Sequence, residues 1–156
     1  MPTPSPYRSL PAERRISLLL HAITISREAR ALYTQRLIAR GGGFRAVTLN
    51  SWPAGKLARE IVRMKAERPE DELDLLHLLY VELEPAIQIA FLDAAGVAHE
   101  KGVMAEALQP PFADEAAVRL AAAKVMEQHG ADGARYLSTL ARYSAAGWPG
   151  ITDLAE

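Results

Sequence analysis

The run "HLLYVELEPAIQIAFLDAAG", residues 77–96, is the most apolar stretch of the chain, and it decides the predicted fold. On a helical wheel, the apolar side chains of residues 71–95 cover nearly the whole circumference, which is typical of a helix with neighbours on most sides. Pro85 lacks a backbone donor and crowds the preceding turn, so this helix should kink or break there. We therefore predict a central, proline-kinked helix that ends at Gly96 as a left-handed cap, with Val97 packed behind it.

Polar residues interrupt the central helix along one line. His77, Tyr80, Glu84 and Gln88 share a face of the ideal wheel. They are ligand-binding candidates, because a carboxylate beside an imidazole could also perform general acid–base chemistry. The alternatives are a hydrogen-bonded structural cluster and a wetted groove. A metal site is disfavoured, because the Glu-x-x-His spacing of di-iron bundles is absent.

A second stripe on the opposite side of the same wheel is entirely acidic. It consists of Asp71, Glu82 and Asp93. Like charges do not share a dry face, since each buried carboxylate needs its own compensation. This stripe is therefore predicted to face solvent.

The rest of the chain indicates further helices separated by short breakers. Residues 1–8 are proline-rich and predicted to be a flexible tail, while residues 9–156 are predicted to form one helical domain. The segment "FRAVTLN", residues 44–50, resembles a strand but has no evident partner, so it is interpreted as a loop. With no strand pair visible, we predict an all-α bundle of five or six helices with a long first helix. The predicted helical ranges are 10–40, 53–67, 71–95, 100–108, 115–129 and 131–146.

The bulk composition is that of an ordinary globular protein. The chain has 156 residues, of which 49% are apolar and 24% are charged, and it contains no cysteine. Disulfides, thiolate nucleophiles and zinc–thiolate sites are excluded, which fits a cytoplasmic location. The apolar run of residues 16–26 is too short to cross a bilayer, and His21 and Thr24 interrupt its resemblance to an export signal.

The near-neutral net charge conceals two oppositely charged halves. Residues 1–68 hold 13 Lys/Arg and 4 Asp/Glu, a balance of +9, whereas residues 69–156 hold 5 and 15, a balance of −10. The basic half could dock on the acidic half of its own chain, on another subunit, or on an anionic partner. The candidates for anion binding are Arg27, Arg30, Lys56, Arg59 and Arg63. A DNA-binding helix-turn-helix is not favoured, because the loop of residues 41–51 exceeds a three- or four-residue turn.

No recognised catalytic motif is present. Gly55-Lys56 lacks the remaining residues of a phosphate-binding loop, the Gly-x-Ser-x-Gly pattern is missing, and no two of the four histidines have zinc-ligand spacing. The sequence assigns no catalytic residue, metal or cofactor. It leaves open whether the protein is an enzyme.

Three function classes remain, in this order. The first is a non-catalytic interaction or regulatory module that forms a homo-oligomer or binds a protein partner, with no membrane association. The second is a ligand-binding or enzymatic bundle that uses the polar stripe. The third is an anion or nucleic-acid binder that uses the basic half.

Overall fold

The computed structural model describes residues 3–155, and its contacts divide the chain into two compact units, Met1–Leu78 and Leu79–Glu156. Eight α-helices, one π-helical segment, one 3-10 turn and a two-stranded hairpin lie in this described part. The predicted all-α class is therefore confirmed, whereas the count of five or six helices is wrong. That the chain forms a single domain stays a prediction, and each unit is described by itself.

The first unit contains five helices packed around a leucine-rich core. Each of the five contributes a fully buried side chain, namely Leu19, Leu37, Leu49, Ile61 and Leu76. The main packing within this unit joins its first helix to its second, fourth and fifth. The helices are α1 (Ala12–Ile25), α2 (Arg27–Ala39), α3 (Ala46–Ser51), α4 (Ala54–Arg63) and α5 (Pro69–Leu78).

The predicted long first helix is wrong, because the chain breaks at Ser26. This residue adopts an extended conformation (φ −131°, ψ 113°), and its side chain accepts a hydrogen bond from the backbone N–H of Ala29. Ser26 thus ends α1 and caps α2. Serine competes with the helical backbone for hydrogen bonds, which is why a serine inside a helical pattern can mark a boundary.

The interpretation of residues 44–50 as a loop is also wrong in part. Residues Ala46–Ser51 form α3, and Leu49 buries its side chain completely. Only two residues, Trp52 and Pro53, join α3 to α4. The apolar periodicity over six residues is too brief to distinguish a short helix from an extended segment.

The structure differs from the expected flexible tail at the residues it describes. Ser5, Pro6 and Tyr7 are buried, and Tyr7 has no solvent exposure. Residues 1 and 2 lie outside the described residues. Side chains of segment 3–8 bind Glu67 and Glu72, which lie about 60 residues further along the chain, and composition alone could not reveal these partners.

The second unit combines helices with a small hairpin. Its core is a chain of aromatic contacts, in which Phe91 meets Tyr136 at 5.6 Å and Trp148 at 5.0 Å between ring centroids. Its elements are a π-helical segment (Leu79–Leu83), α6 (Ala86–Ala95), β1 (His99–Glu100), β2 (Val103–Met104), α7 (Glu115–Tyr143), a 3-10 turn (Ala145–Gly147) and α8 (Ile151–Leu154).

The predicted break at Pro85 is confirmed. The α-helical run passes into the π-helical segment, where the backbone N–H of Glu84 donates to the carbonyl of Leu79 at 2.7 Å. Pro85 then starts the next helix as the N-cap of α6. The wider π turn accommodates the proline, whose ring would otherwise crowd the preceding helical turn.

The caps predicted for two helices are present. Gly96 is left-handed (φ 72°), and Val97 donates its N–H to the carbonyl of Leu92 while its side chain is buried. Asp114 accepts a hydrogen bond from Ala117 N–H and starts α7. Gly130 interrupts α7 with a non-helical conformation (φ 52°, ψ −125°), as expected for a helix end at this glycine.

The short helix predicted over residues 100–108 is wrong. An antiparallel hairpin pairs His99 with Met104 and Glu100 with Val103. Lys101 and Gly102 form its two-residue turn, and both have positive φ angles. Such turns match the twist of paired strands, and a glycine at the second position is their usual requirement.

No single described helix is long and apolar enough to cross a membrane. Helices Pro69–Leu83 and Ala86–Ala95 reach that length and apolarity only when the two bent pieces are taken together.

Candidate interaction surfaces

The residues of the predicted polar stripe have different local environments. His77 is exposed on α5, whereas Tyr80 is buried in the π-helical segment. The ring of Tyr80 meets Tyr136 edge-on at 5.0 Å between centroids, and burial raises the pKa of the Tyr136 phenol well above its ordinary range. Glu84 is half-buried at the helix break. A ligand pocket that uses these residues stays a prediction.

Gln88, the fourth residue of the stripe, anchors the hairpin. Its side-chain amide donates to the backbone carbonyl of Gly102 in the hairpin turn. A Cβ atom at Gly102 would lie 3.4 Å from Ile89 and would also contact Gln88. The hairpin turn therefore packs directly on α6, and Gln88 has a structural role that explains its polarity.

A histidine–carboxylate pair lies next to the same hairpin. Nε2 of His99 lies 2.6 Å from Oδ1 of Asp93, and Nδ1 of His99 accepts the backbone N–H of Gly102 at 2.9 Å. When Nδ1 accepts this hydrogen bond, the ring proton is on Nε2 and donates to Asp93. Both ring nitrogens are engaged, so His99 has no nitrogen left to activate a nucleophile.

A concave region lies on this hairpin. It has a volume of about 720 Å³ and is lined by residues of segment 98–106. Its charged lining residues are Glu100, Lys101 and Glu106, together with His99. One loop supplies the whole lining, whereas ligand pockets are usually enclosed by several elements. Within residues 3–155, no three histidine, aspartate or glutamate side chains converge as metal ligands.

The first unit contains a buried ionic network that the sequence did not predict. Glu67 has no side-chain exposure, and its carboxylate lies 3.8 Å from Arg8 and 3.7 Å from Arg15. Glu72 accepts hydrogen bonds from Ser5 Oγ at 3.0 Å and from Arg8 Nε at 3.2 Å. Buried carboxylates need such donors and cations. The network fastens segment 3–8 to the start of α5.

A second buried pair extends this network. The Arg36 guanidinium forms a bidentate contact with Asp71, with Nη2 at 3.1 Å from Oδ1. This hydrogen bonding raises the pKa of Arg36 further. Asp71 also accepts the backbone N–H of Arg68 at 2.8 Å. Asp71 and Glu72 belong to the acidic half of the chain, whereas Arg8 and Arg36 belong to the basic half. Some ion pairs between the two halves therefore form within the first unit.

The acidic stripe is therefore only partly solvent-facing. Glu82 and Asp93 are exposed as predicted, whereas the side chain of Asp71 retains only 13% of its exposure. The wheel could not distinguish them, because the partner of Asp71 comes from α2.

An apolar groove opens between α2 and α5. It has a volume of about 220 Å³, and the end of α1 closes one side. Ile25 and Leu32 line it although their side chains are 55% and 42% exposed. Asp71 and Asp74 are the charged residues of its lining. The remaining lining residues are Ala22, Ser26, Ala29, Tyr33, Leu75 and Leu78.

The candidate anion-binding residues are partly brought together. Arg30 Nη2 donates to the Trp52 carbonyl at 2.7 Å, and Lys56 Nζ lies 4.3 Å from the centroid of the Trp52 ring. Arg59 is exposed on the next turn of α4, and Arg63 binds Glu60. The fifth candidate, Arg27, is exposed at the start of α2.

Comparison with known protein families, with characterised proteins and with solved structures found no match.

Proposed function

We propose that the protein is a non-catalytic helical interaction module whose α2–α5 groove receives an amphipathic helix of a protein partner. The observation that supports this proposal is the exposure of Ile25 and Leu32 at the groove. Apolar side chains scattered over a surface need no explanation, but apolar side chains that line one concavity are typical of binding sites.

The spacing of the lining residues suits a helix as the occupant. On α5, the groove is lined by Asp71, Asp74, Leu75 and Leu78, at positions i, i+3, i+4 and i+7. On α2 the lining residues also recur at intervals of three or four. Two flanking helices with such rows form the grooves in which partner helices place their own i, i+3, i+4 and i+7 anchors.

The charge of the groove favours a basic partner. Asp74 is exposed on the lining, and Asp71, although bound to Arg36, adds a second carboxylate. A lysine or arginine that flanks the apolar anchors of the partner would meet these carboxylates. Such edge charges mainly set orientation and association rate, while apolar burial supplies most of the affinity.

A designed peptide tests this function. The probe is a helix with leucines at i, i+3, i+4 and i+7 and lysines beside them, titrated by fluorescence anisotropy. Leu32→Glu should weaken binding by about 10- to 100-fold, the equivalent of one buried leucine. The matched control is Leu120→Glu on α7, whose parent side chain is 65% exposed and should not affect binding.

Two results would contradict the proposal. One is the absence of peptide binding by the folded protein, and the other is an equal loss in both variants. Homo-oligomerisation, the other form of the interaction prediction, is tested by sedimentation over a range of concentrations. A dimer that Leu32→Glu dissociates would identify a second copy of the chain as the occupant.

A further inference from the structure

Cations from two helices meet at the connection between α3 and α4. Arg30 reaches from α2 to the Trp52 carbonyl, and Lys56 covers one face of the Trp52 ring. Arg59 and Arg63 follow Lys56 at i+3 and i+7 on α4, so the three lie on one face. We propose that this basic surface, consisting of Arg30, Lys56, Arg59 and Arg63, binds the phosphate backbone of duplex nucleic acid.

The local sequence leaves the positive charge of this surface largely uncompensated. Residues 29–59 contain no aspartate or glutamate, although they contain six lysines and arginines. Glu60 is the first acid after this stretch, and Arg63 binds it. In the part of the chain that the structure describes, Lys56 and Arg59 make no ion pair with a carboxylate. Such a cluster creates a field that attracts polyanions.

The shape of the surface suits a polyanion better than a small anion. Lys56 and Arg63 are seven residues apart, which corresponds to about 10 Å along a helix axis. The row lies on the exposed side of α4, opposite the buried residues Leu57 and Ile61. A duplex presents closely spaced phosphates along its axis, and several of them could contact such a row at once.

The aromatic residues favour a duplex over a single strand. Proteins that bind single strands stack bases on open aromatic faces. Here Lys56 covers one face of Trp52, and Phe44 makes a T-shaped contact with the same ring at 5.4 Å between centroids. The ring therefore positions a cation rather than offering a stacking platform.

A DNA-binding helix pair was not favoured from the sequence because residues 41–51 were interpreted as a loop too long to join two such helices. The structure shows a much shorter connection. The segment interpreted as a long loop contains α3, and a two-residue connection leads from it to α4. An α-helix has a diameter of about 10–12 Å, close to the roughly 12 Å width of the major groove. The exposed residues of α4 are cationic and suited to phosphates, and phosphate contacts position a protein on the duplex without reading its base sequence.

The test is fluorescence anisotropy of the full chain with a labelled duplex at increasing salt. If three phosphates are neutralised, the affinity should fall about 40-fold between about 50 and 200 mM salt. The double variant Lys56→Gln/Arg59→Gln should reduce the slope of log affinity against log salt by about 2. The matched control is Arg119→Gln/Lys124→Gln on α7, which removes the same charge from exposed positions and should leave the slope unchanged.

Several outcomes would overturn the proposal. They are no duplex binding at low salt, an equal loss in both double variants, tighter binding of a single strand of the same length, and equal affinity for polyglutamate or for anionic vesicles. Circular dichroism of both double variants establishes that they fold. Leu32→Glu should retain duplex binding, because the groove and the basic surface are independent proposals.

Discussion

The Tyr7 hydroxyl donates a 2.6 Å hydrogen bond to Oε2 of Glu67, and both side chains are fully buried although they are 60 residues apart. This bond supplies a donor to a carboxylate that has no contact with solvent. Oε1 of Glu67 has no hydrogen-bond partner among the described residues, so the carboxylate depends on Tyr7 and on the nearby arginines. Residues 5–7 are thus part of the core of the first unit.

Tyr7→Phe should lower the free energy of unfolding by about 1.5–3 kcal/mol, because it removes a hydrogen bond to a buried charged group. Urea denaturation measures the change. Tyr143→Phe is the matched control, since Tyr143 is only half-buried and its substitution should change stability by less than about 0.5 kcal/mol. Equal effects of the two substitutions would show that the Tyr7 hydroxyl has no special role.

Stability should fall steeply in alkali. Burial is the main cause that raises the pKa values of Tyr7, Tyr33 and Tyr136 well above the ordinary range. Below about pH 10 these phenols are neutral in both states, but above it only the unfolded chain releases their protons. The free energy of unfolding should then decrease by about 1.4 kcal/mol per pH unit for each tyrosine.

Urea denaturation between about pH 9 and pH 11, across the ordinary tyrosine pKa, checks this dependence. Tyr7→Phe should remove the contribution of one tyrosine and make the slope shallower by about 1.4 kcal/mol per pH unit. Comparison of the two proteins cancels the titration of exposed lysines. An unchanged slope would show that Tyr7 ionises equally well in both states.

Arg36→Met should destabilise the protein by about 3–5 kcal/mol, because it leaves the largely buried Asp71 carboxylate without its cation. The double variant Arg36→Met/Asp71→Leu should recover more than half of this loss, since neither charge then remains. The recovery will be incomplete, because Asp71 also accepts the Arg68 N–H. A double variant as unstable as the single one would indicate that packing, not charge, dominates at this position.

Replacing Gly130 and Gly55 by alanine should change the stability of the protein in opposite directions. Gly130 has φ 52° and ψ −125°, a conformation that strains any other residue, so Gly130→Ala should destabilise by about 1–3 kcal/mol. Gly55 lies inside α4, where a Cβ would meet only the end of the Arg59 side chain at 3.9 Å. Gly55→Ala should therefore stabilise by about 0.4–1 kcal/mol. Thermal denaturation measures the change in stability of each variant. If both changes had the same sign, the explanation from backbone conformation would be contradicted.

Features determined by neighbouring residues could be predicted from the sequence. The break at Pro85, the left-handed cap at Gly96 and the N-cap at Asp114 each depend on a few adjacent positions. The break at Ser26 depends on the same physics, yet it was missed because the apolar pattern continues on both sides. The hairpin was missed because its strands have only two residues each, too few to show alternation.

Features determined by distant residues could not be predicted. The burial of Tyr7 depends on Glu67, and that of Asp71 depends on Arg36. Nothing near these residues in the chain indicates the partner. The relative positions of the polar-stripe residues could not be predicted either, because the wheel assumes α-helical geometry throughout, whereas Tyr80 lies in a π-helical segment. The hydrogen bond from Arg30 to the Trp52 carbonyl is likewise a tertiary effect, whereas Lys56 is only four residues from Trp52.

The contacts of segment 3–8 also determine an order of events during synthesis. Ser5 is made 67 residues before Glu72, and Tyr7 is made 60 residues before Glu67. While the chain is being synthesised, α1 and α2 can form from local contacts, but segment 3–8 must wait for Glu67 and Glu72 to be made. Closing so long a loop costs entropy before any contact compensates it. Segment 3–8 should therefore be the last part of the first unit to become ordered on the ribosome, and until then it remains accessible to proteases and chaperones.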